Sequence, residues 1–174
     1  MPFHLIDSIQ RYVAISSIGT STVRGRPSGT LDTARNFLAT IKLRQLGVNQ
    51  ERMFQQRLDR LTKDLASSLP PKAKDWGLAR KMLNMFLRDA FYNFYLRSRF
   101  GLGRAEPFLE IPLDSTVAKG LRRGTLRGSL PAWPNLRHLK PVDHAMFQQR
   151  ALKLARQLKA ARVHLDTVLW VQER

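Results

Sequence analysis

Across residues 78–95 the apolar side chains fall at a spacing that only a helix can use. Leu78, Met82, Phe86, Ala90 and Phe94 stand four apart, with Leu83, Phe91 and Tyr95 beside them. On a helix these positions merge into a stripe too broad for a half-exposed element. The pattern predicts a central helix over about 78–97, buried on most sides, around which the rest of the chain must pack.

The flanking segments carry the same period. Residues 3–16 place Phe3, Ile6, Ile9 and Val13 on one side of a helix. Residues 30–47 open on a capping Thr or Asp, carry a stripe at Ala34, Leu38, Ile41 and Leu46, and end at Gly47. From Asn49, the residues Phe54, Leu58, Leu61, Leu65 and Leu69 mark a helix that Pro70 and Pro71 stop. Residues 114–120 read as a short helix capped by Asp114 or Ser115. A last long helix follows, over about 144–161 with Asp143 as its cap, and then "VHLDTVLWV" packs or frays. No pair of alternating strands is present, so the fold reads as all-α. The whole chain, 1–174, reads as a single unit.

Charge narrows the partner. The chain has 174 residues with 30 basic and 13 acidic side chains, a formal net charge of +17. That excess costs stability by self-repulsion and points to a polyanion, nucleic acid ahead of a membrane surface. There is no cysteine, which excludes disulfides, Cys-ligated zinc and iron–sulfur clusters. His4, His138, His144 and His164 never fall at a metal-ligand spacing. No metal or other cofactor is expected. Without a membrane-length apolar run or a signal-peptide pattern, the expected location is the cytoplasm, in association with the nucleoid.

The stretch "WGLARKML", residues 76–83, combines helix-forming spacing with two cations, Arg80 and Lys81, in the first turn. A helix N-terminus carries partial positive charge and favours acids, so cations there ask for an anion. Backbone N–H groups at a helix start bind phosphate, and a turn at Gly77 lets a phosphodiester come close. Arg80 would then clamp phosphate. Lys81 has two readings. It is a surface lysine with a wet head and a covered stem, or an amine whose positive neighbours favour its neutral, nucleophilic form. Asp114 likewise is either an ordinary helix cap or a carboxylate placed to stabilise positive charge at a sugar C1′.

Gly77-Leu78-Ala79-Arg80-Lys81, followed by Met82-Leu83-Asn84, resembles the hairpin and second helix of helix–hairpin–helix DNA glycosylases. That family's pattern is Leu-Pro-Gly-Val-Gly-x-Lys-x-Ala. Lys81 falls on its catalytic lysine, and Gly77 and Ala79 fall on the two hairpin glycines. The family's second motif is an apolar residue followed by Asp-Thr-His-Val-x-Arg. Here Leu113-Asp114-Ser115-Thr116-Val117-Ala118-Lys119 stands in its place, with Asp114 on the catalytic aspartate. The separation of 33 residues between Lys81 and Asp114 is similar to the archaeal 8-oxoguanine glycosylase branch, which needs no iron–sulfur cluster. The sequence departs from the pattern in three places: Ala79 for a glycine, Trp76 for a proline or small residue, and Thr116 for the histidine.

The resemblance implies a two-lobed helical fold with its site between the lobes. The hairpin lobe would span about 30–125, and the N- and C-terminal helices would complete the second lobe. It implies excision of a flipped base from double-stranded DNA, with abasic-site lyase activity through a Schiff base on Lys81. Backbone contacts would come from Gly77, Ala79, Arg80, Arg122 and Arg123, and more loosely from Arg97, Arg99, Arg104 and Arg127. Trp76, Ser21, Thr22 and Arg24 are candidates for the base pocket, as are Phe91, Tyr92 and Trp133. The base stays open between an oxidised purine, an alkylated base and a hypermodified base of foreign DNA, and with it repair against defence. A non-catalytic DNA- or RNA-binding protein using the hairpin as a phosphate clamp is the alternative, followed by a basic helical protein of a larger assembly. No membrane and no obligate protein partner are implied.

Overall fold

A computed structural model describes residues 5–126 and 128–172. Among them the secondary structure is entirely helical, without a strand, as the apolar periodicity requires. The helices are α1 (Leu5–Ser17), α2 (Thr30–Thr40), α3 (Glu51–Ser68), α4 (Trp76–Tyr92), α5 (Phe94–Phe100), α6 (Ser115–Arg122), α7 (Pro141–Gln157) and α8 (Leu165–Gln172). Short 3₁₀ turns join them, notably Leu102–Phe108 and Arg162–His164. None of these helices is long and apolar enough to cross a membrane. His4 and Arg127 lie outside the described residues.

The broad stripe does make α4 the central helix. It packs against α1, α2, α3, α5 and α7, and Leu78, Met82, Leu83, Phe86 and Ala90 are fully buried along it. Its far end differs from the expected continuous helix to residue 97. The chain breaks at Asn93, whose side-chain oxygen accepts the Leu96 amide at 3.1 Å and starts α5 afresh. An internal cap of this kind competes with helix continuation.

Two other boundaries move. The helix expected over 30–47 ends at Thr40. Gly47 is not its terminator. A Cβ on Gly47 would sit 1.9 Å from the Phe100 carbonyl oxygen, so glycine is required by close approach of the end of α5. Helix α7 begins at Pro141, preset for a first helical position, which leaves Asp143 inside the first turn and not at the cap. The segment "VHLDTVLWV" packs, burying Val163, Leu165 and Leu169.

Buried apolar residues fall into two clusters. One joins α1–α5 and runs from Val13 to Leu109, with Val163 added; the other joins Ile111 and Leu113 to α6, α7 and α8. The division comes at Glu110. The N-terminal helix α1 therefore belongs with α2–α5, and not with the C-terminal helices as the resemblance implied.

At that division sits a buried polar network. Glu110 accepts two hydrogen bonds from Arg80, at 2.8 and 2.9 Å, and one from Asn84 at 2.9 Å. Arg80 also donates to Asp59 and Thr62, both at 2.9 Å, and to Gln55 at 3.4 Å. Arg162 donates to the carbonyls of Leu109 and Phe108. His144 Nε2 lies 3.5 Å from Glu110. Burial alone would raise the Glu110 carboxyl, but the surrounding cations hold it down to about 2. Burial drives His144 down to about 4, with Arg80 and Arg162 adding to the fall against Glu110. Near neutral pH His144 is uncharged, so the two guanidiniums keep Glu110 ionised.

Candidate functional site

Arg80 and Lys81 are neighbours on α4 with opposite fates. Successive helix positions are about 100° apart, so one turns inward while the other reaches a surface cleft. Lys81 Nζ donates to Asp114 Oδ2 at 3.2 Å, with the lysine side chain only 13% exposed and the aspartate 36%. Asp114 is also a cap. Its Oδ1 accepts the Val117 amide at 2.9 Å, starting α6. The two readings of Asp114 are compatible because each uses a different oxygen. The cap fixes the carboxylate, and its free oxygen faces the amine.

Two adjoining hollows share Lys81, Asp114, Ser21 and Thr22, one of about 520 Å³ and one of about 510 Å³. The first is walled by Met85, Arg88, Asp89 and Tyr92 of α4 and by Asp166, Thr167 and Trp170 of α8. The second is basic, lined by Arg24, Arg26, Arg137 and His138 with Trp133 and Asn135. The Lys81–Asp114 pair thus stands where an aromatic and acidic compartment meets a cationic one. Among the described residues no cluster of His, Asp and Glu is arranged to hold a metal ion.

Inside the first hollow Arg88 bridges Asp89 at 2.7 Å and Asp166 across to α8. Burial pushes the Asp166 carboxyl above its ordinary value and the Asp114 charge pushes the same way, while Arg88 and Lys81 oppose them. Burial lowers the Arg88 guanidinium, but Asp89 and Asp166 more than offset it and leave it raised.

Of the sequence candidates, Lys81, Asp114, Ser21, Thr22 and Arg24 come together here. Tyr92 and Trp133 join them, while Phe91 stays in the core with the Arg97 guanidinium over its ring. Four expected contacts are corrected. Arg80 is no phosphate clamp: it is 3% exposed and saturated by Glu110, Asp59 and Thr62. The carboxylates raise its pKa despite the opposing effect of burial. Gly77 is inside the helix, and a Cβ there would lie 2.4 Å from the Leu136 carbonyl oxygen. Its glycine lets Leu136 and Leu139 pack closely over the helix start, while Ala79 is buried completely in the α1–α5 core, so neither is open to a DNA backbone. Trp76 packs edge-on to His144, with ring centroids 5.1 Å apart, and under the Arg80 guanidinium; it lines neither hollow.

Arg122 and Arg123 are exposed at the end of α6, outside both hollows; Arg122 donates to the Pro131 carbonyl at 2.7 Å. Sequence reasoning missed Arg88, Asp89, Asp166 and Trp170. Arg88 and Asp166 are 78 positions apart, and each looks like an ordinary helix-surface charge when read alone.

No family model matches the chain, and comparison with curated proteins and with solved structures finds no match either.

Proposed function

We propose that the protein is a DNA base-excision enzyme, with Lys81 as nucleophile and Asp114 as its partner carboxylate. One observation carries this reading: the 3.2 Å contact between Lys81 and a rigidly capped Asp114, at the junction of the two hollows. A lysine used only for solubility needs no such seat.

The chemistry follows from the pair. The Asp114 carboxylate takes the Lys81 ammonium proton and passes it to solvent, which frees the amine and leaves Asp114 charged. The bond from C1′ to the base breaks and its electron pair leaves on the base. Positive charge grows on the sugar, which the Asp114 oxygen stabilises. The Lys81 nitrogen bonds to C1′, the sugar ring opens, and the resulting Schiff base allows elimination of the 3′ phosphate.

The compartments suit the two parts of a flipped nucleotide. Arg24 and Arg137 supply cations for the phosphodiester on one side, while Arg26 is held in an ion pair with Asp75. Met85, Tyr92 and Trp170 supply apolar and aromatic surface for an extruded base on the other. On this reading the two apolar clusters are the lobes of a helix–hairpin–helix glycosylase-like architecture, in which the stretch matched to the hairpin, Gly77 to Ala79, has become the start of α4. The partner is duplex DNA carrying one damaged or modified base, found with the nucleoid. The role is repair for an oxidised or alkylated base and defence for a hypermodified foreign one.

A non-catalytic nucleic-acid clamp is the second reading, favoured by the cap that Asp114 supplies. Burial of Arg80 weakens it, since the hairpin then lacks its clamp.

Borohydride trapping separates the two. Duplexes bearing an oxidised purine, an alkylated purine or a modified cytosine are tested beside an abasic duplex. A covalent adduct that disappears in Lys81→Ala, with DNA affinity retained, is the expected result. Adducts undiminished in Lys81→Ala would remove the Schiff-base role, and no adduct or cleavage on any duplex, with binding intact, would favour the clamp.

A further inference from the structure

Tyr92 closes the last turn of α4 and lines the hollow that contains Lys81 and Asp114. Its hydroxyl lies 2.9 Å from His164 Nδ1, and His164 Nε2 lies 2.9 Å from Glu106 Oε1. The Tyr92 and His164 rings are stacked, with centroids 5.6 Å apart and planes inclined by 19°. Three side chains, from α4, the 162–164 turn and the 102–108 turn, therefore form one hydrogen-bonded line that ends in the cleft. All three are partly solvent-exposed, where such contacts add little to stability.

The donors give the line a direction. A carboxylate only accepts, so His164 Nε2 carries a proton. In the neutral imidazole Nδ1 is then an acceptor, and the Tyr92 hydroxyl donates to it, away from the cleft. In the imidazolium both nitrogens donate. The Tyr92 oxygen then accepts from Nδ1–H, and its own proton is free to turn toward a ligand in the cleft.

We propose that Tyr92 is a second catalytic residue, the acid that delivers a proton to the departing base, with His164 and Glu106 as positioning residues. The proposal rests on the base-excision reading above. As the C1′–N bond breaks, its electron pair moves onto the base. The base takes the Tyr92 hydroxyl proton, and the phenolic oxygen takes the proton from His164 Nδ1. His164 ends neutral, still donating through Nε2 to an unchanged Glu106 carboxylate, and is reprotonated by solvent.

The surroundings keep the phenol protonated. Burial pushes its pKa up, with Asp166 and Asp89 adding to the shift and Thr167 and Arg88 opposing it. The charged groups facing the line are Arg88 and Asp89 from α4, Asp166 from α8, and Arg97 from α5, whose Nη2 lies 3.9 Å from Glu106 Oε2. Lys81 and Asp114 handle the sugar, which leaves the base without another assigned proton source.

The test uses Tyr92→Phe on the full chain, on duplexes containing 8-oxoguanine, an N-alkylated adenine or hydroxymethylcytosine, and on a preformed abasic duplex. General-acid loss is expected to slow base release by about 10²–10⁴-fold. Trapping on the abasic duplex, which has no base to protonate, should be unchanged. His164→Gln should lower kcat for base release with KM unchanged, and combined with Tyr92→Phe it should add nothing to the loss from Tyr92→Phe alone. Glu106→Gln, which keeps the shape of the line, should show a smaller loss. Wild-type rates in Tyr92→Phe, an unchanged kcat in His164→Gln, or equal losses on both kinds of duplex would overturn the role of Tyr92 while leaving base excision in place. A wild-type protein inert on every duplex, the abasic one included, would remove the base-excision reading and this proposal with it.

Discussion

Replacing Arg80 by lysine keeps the positive charge and changes only its shape, which makes it the sharpest probe of where that charge points. The guanidinium makes five hydrogen bonds, to both oxygens of Glu110 and to Asp59, Thr62 and Gln55. An ammonium has three donors at a single point, so at least two of these bonds are lost and the paired geometry at Glu110 with them. Hydrogen bonds to charged groups contribute about 1.5–3 kcal/mol each, and breaking a buried ion pair costs about 3–5 kcal/mol. Arg80→Lys should therefore destabilise the fold by about 3–5 kcal/mol, which for a chain of this length lowers Tm by about 6–20 °C. Thermal unfolding followed by circular dichroism measures the loss. DNA affinity, measured well below the lowered Tm, should change little because Arg80 faces no solvent. An unshifted Tm with weakened DNA binding would place the guanidinium in a DNA groove and refute the buried network.

Asp114→Asn keeps a good cap and removes the charge beside Lys81, so base excision should be lost with a stability change below about 1 kcal/mol; a large fall in Tm on unfolding would leave Asp114 as a cap alone. Gly77→Ala should cost about 1–3 kcal/mol by overpacking against the Leu136 carbonyl, read from urea unfolding, and an unchanged midpoint would mean that residues 131–140 do not cover the helix start. Stability should also fall with acidity in two stages. His144 is held down to about 4, so between its ordinary value and pH 4 the unfolded chain binds a proton that the folded chain refuses, costing about 3 kcal/mol. Glu110, held down to about 2, keeps its contribution above the ordinary carboxyl range and loses it as pH falls through its folded value. Urea midpoints from pH 7 to pH 3 that stay level would contradict both shifts.

The helices were legible because burial leaves a period. The stripe on α4 needed only that Leu78, Met82, Phe86 and Ala90 point the same way, and they do. The breaks were less legible because each depends on a partner distant in sequence or on a local choice between two hydrogen bonds. Thr40 ends α2 with Gly47 pressed against Phe100, and Asn93 ends α4 with its own side chain. The candidate site divides in the same manner. Lys81 and Asp114 could be singled out by residue type and by the resemblance, and Ser21, Thr22 and Arg24 by the loop where the resemblance puts pocket residues, and all five line the basic hollow. Arg88, Asp166 and Trp170 could not, because only the packing of α8 beside α4 gives their pairing a meaning.

Arg80 and Lys81 show where the limit lies. The sequence reads both as cations in the first turn of one helix, and one reason, an external anion, served for both; α4 starts at Trp76 and puts them in its second turn. The segment that runs from Glu110 to Asp114 supplies a carboxylate to each: Glu110 at the division between the two apolar clusters and Asp114 at the cleft. The anion that answers Arg80 is internal, and the one that answers Lys81 sits at a surface a ligand can reach. A sequence records that two cations and two acids exist. Which pair is sealed and which is left accessible depends on the angular register of α4 against that segment, and this is set by every apolar residue that fixes the helix in place. The same register gives the two pairs separate work: the sealed one joins the clusters, and the accessible one holds an amine within reach of its proton acceptor.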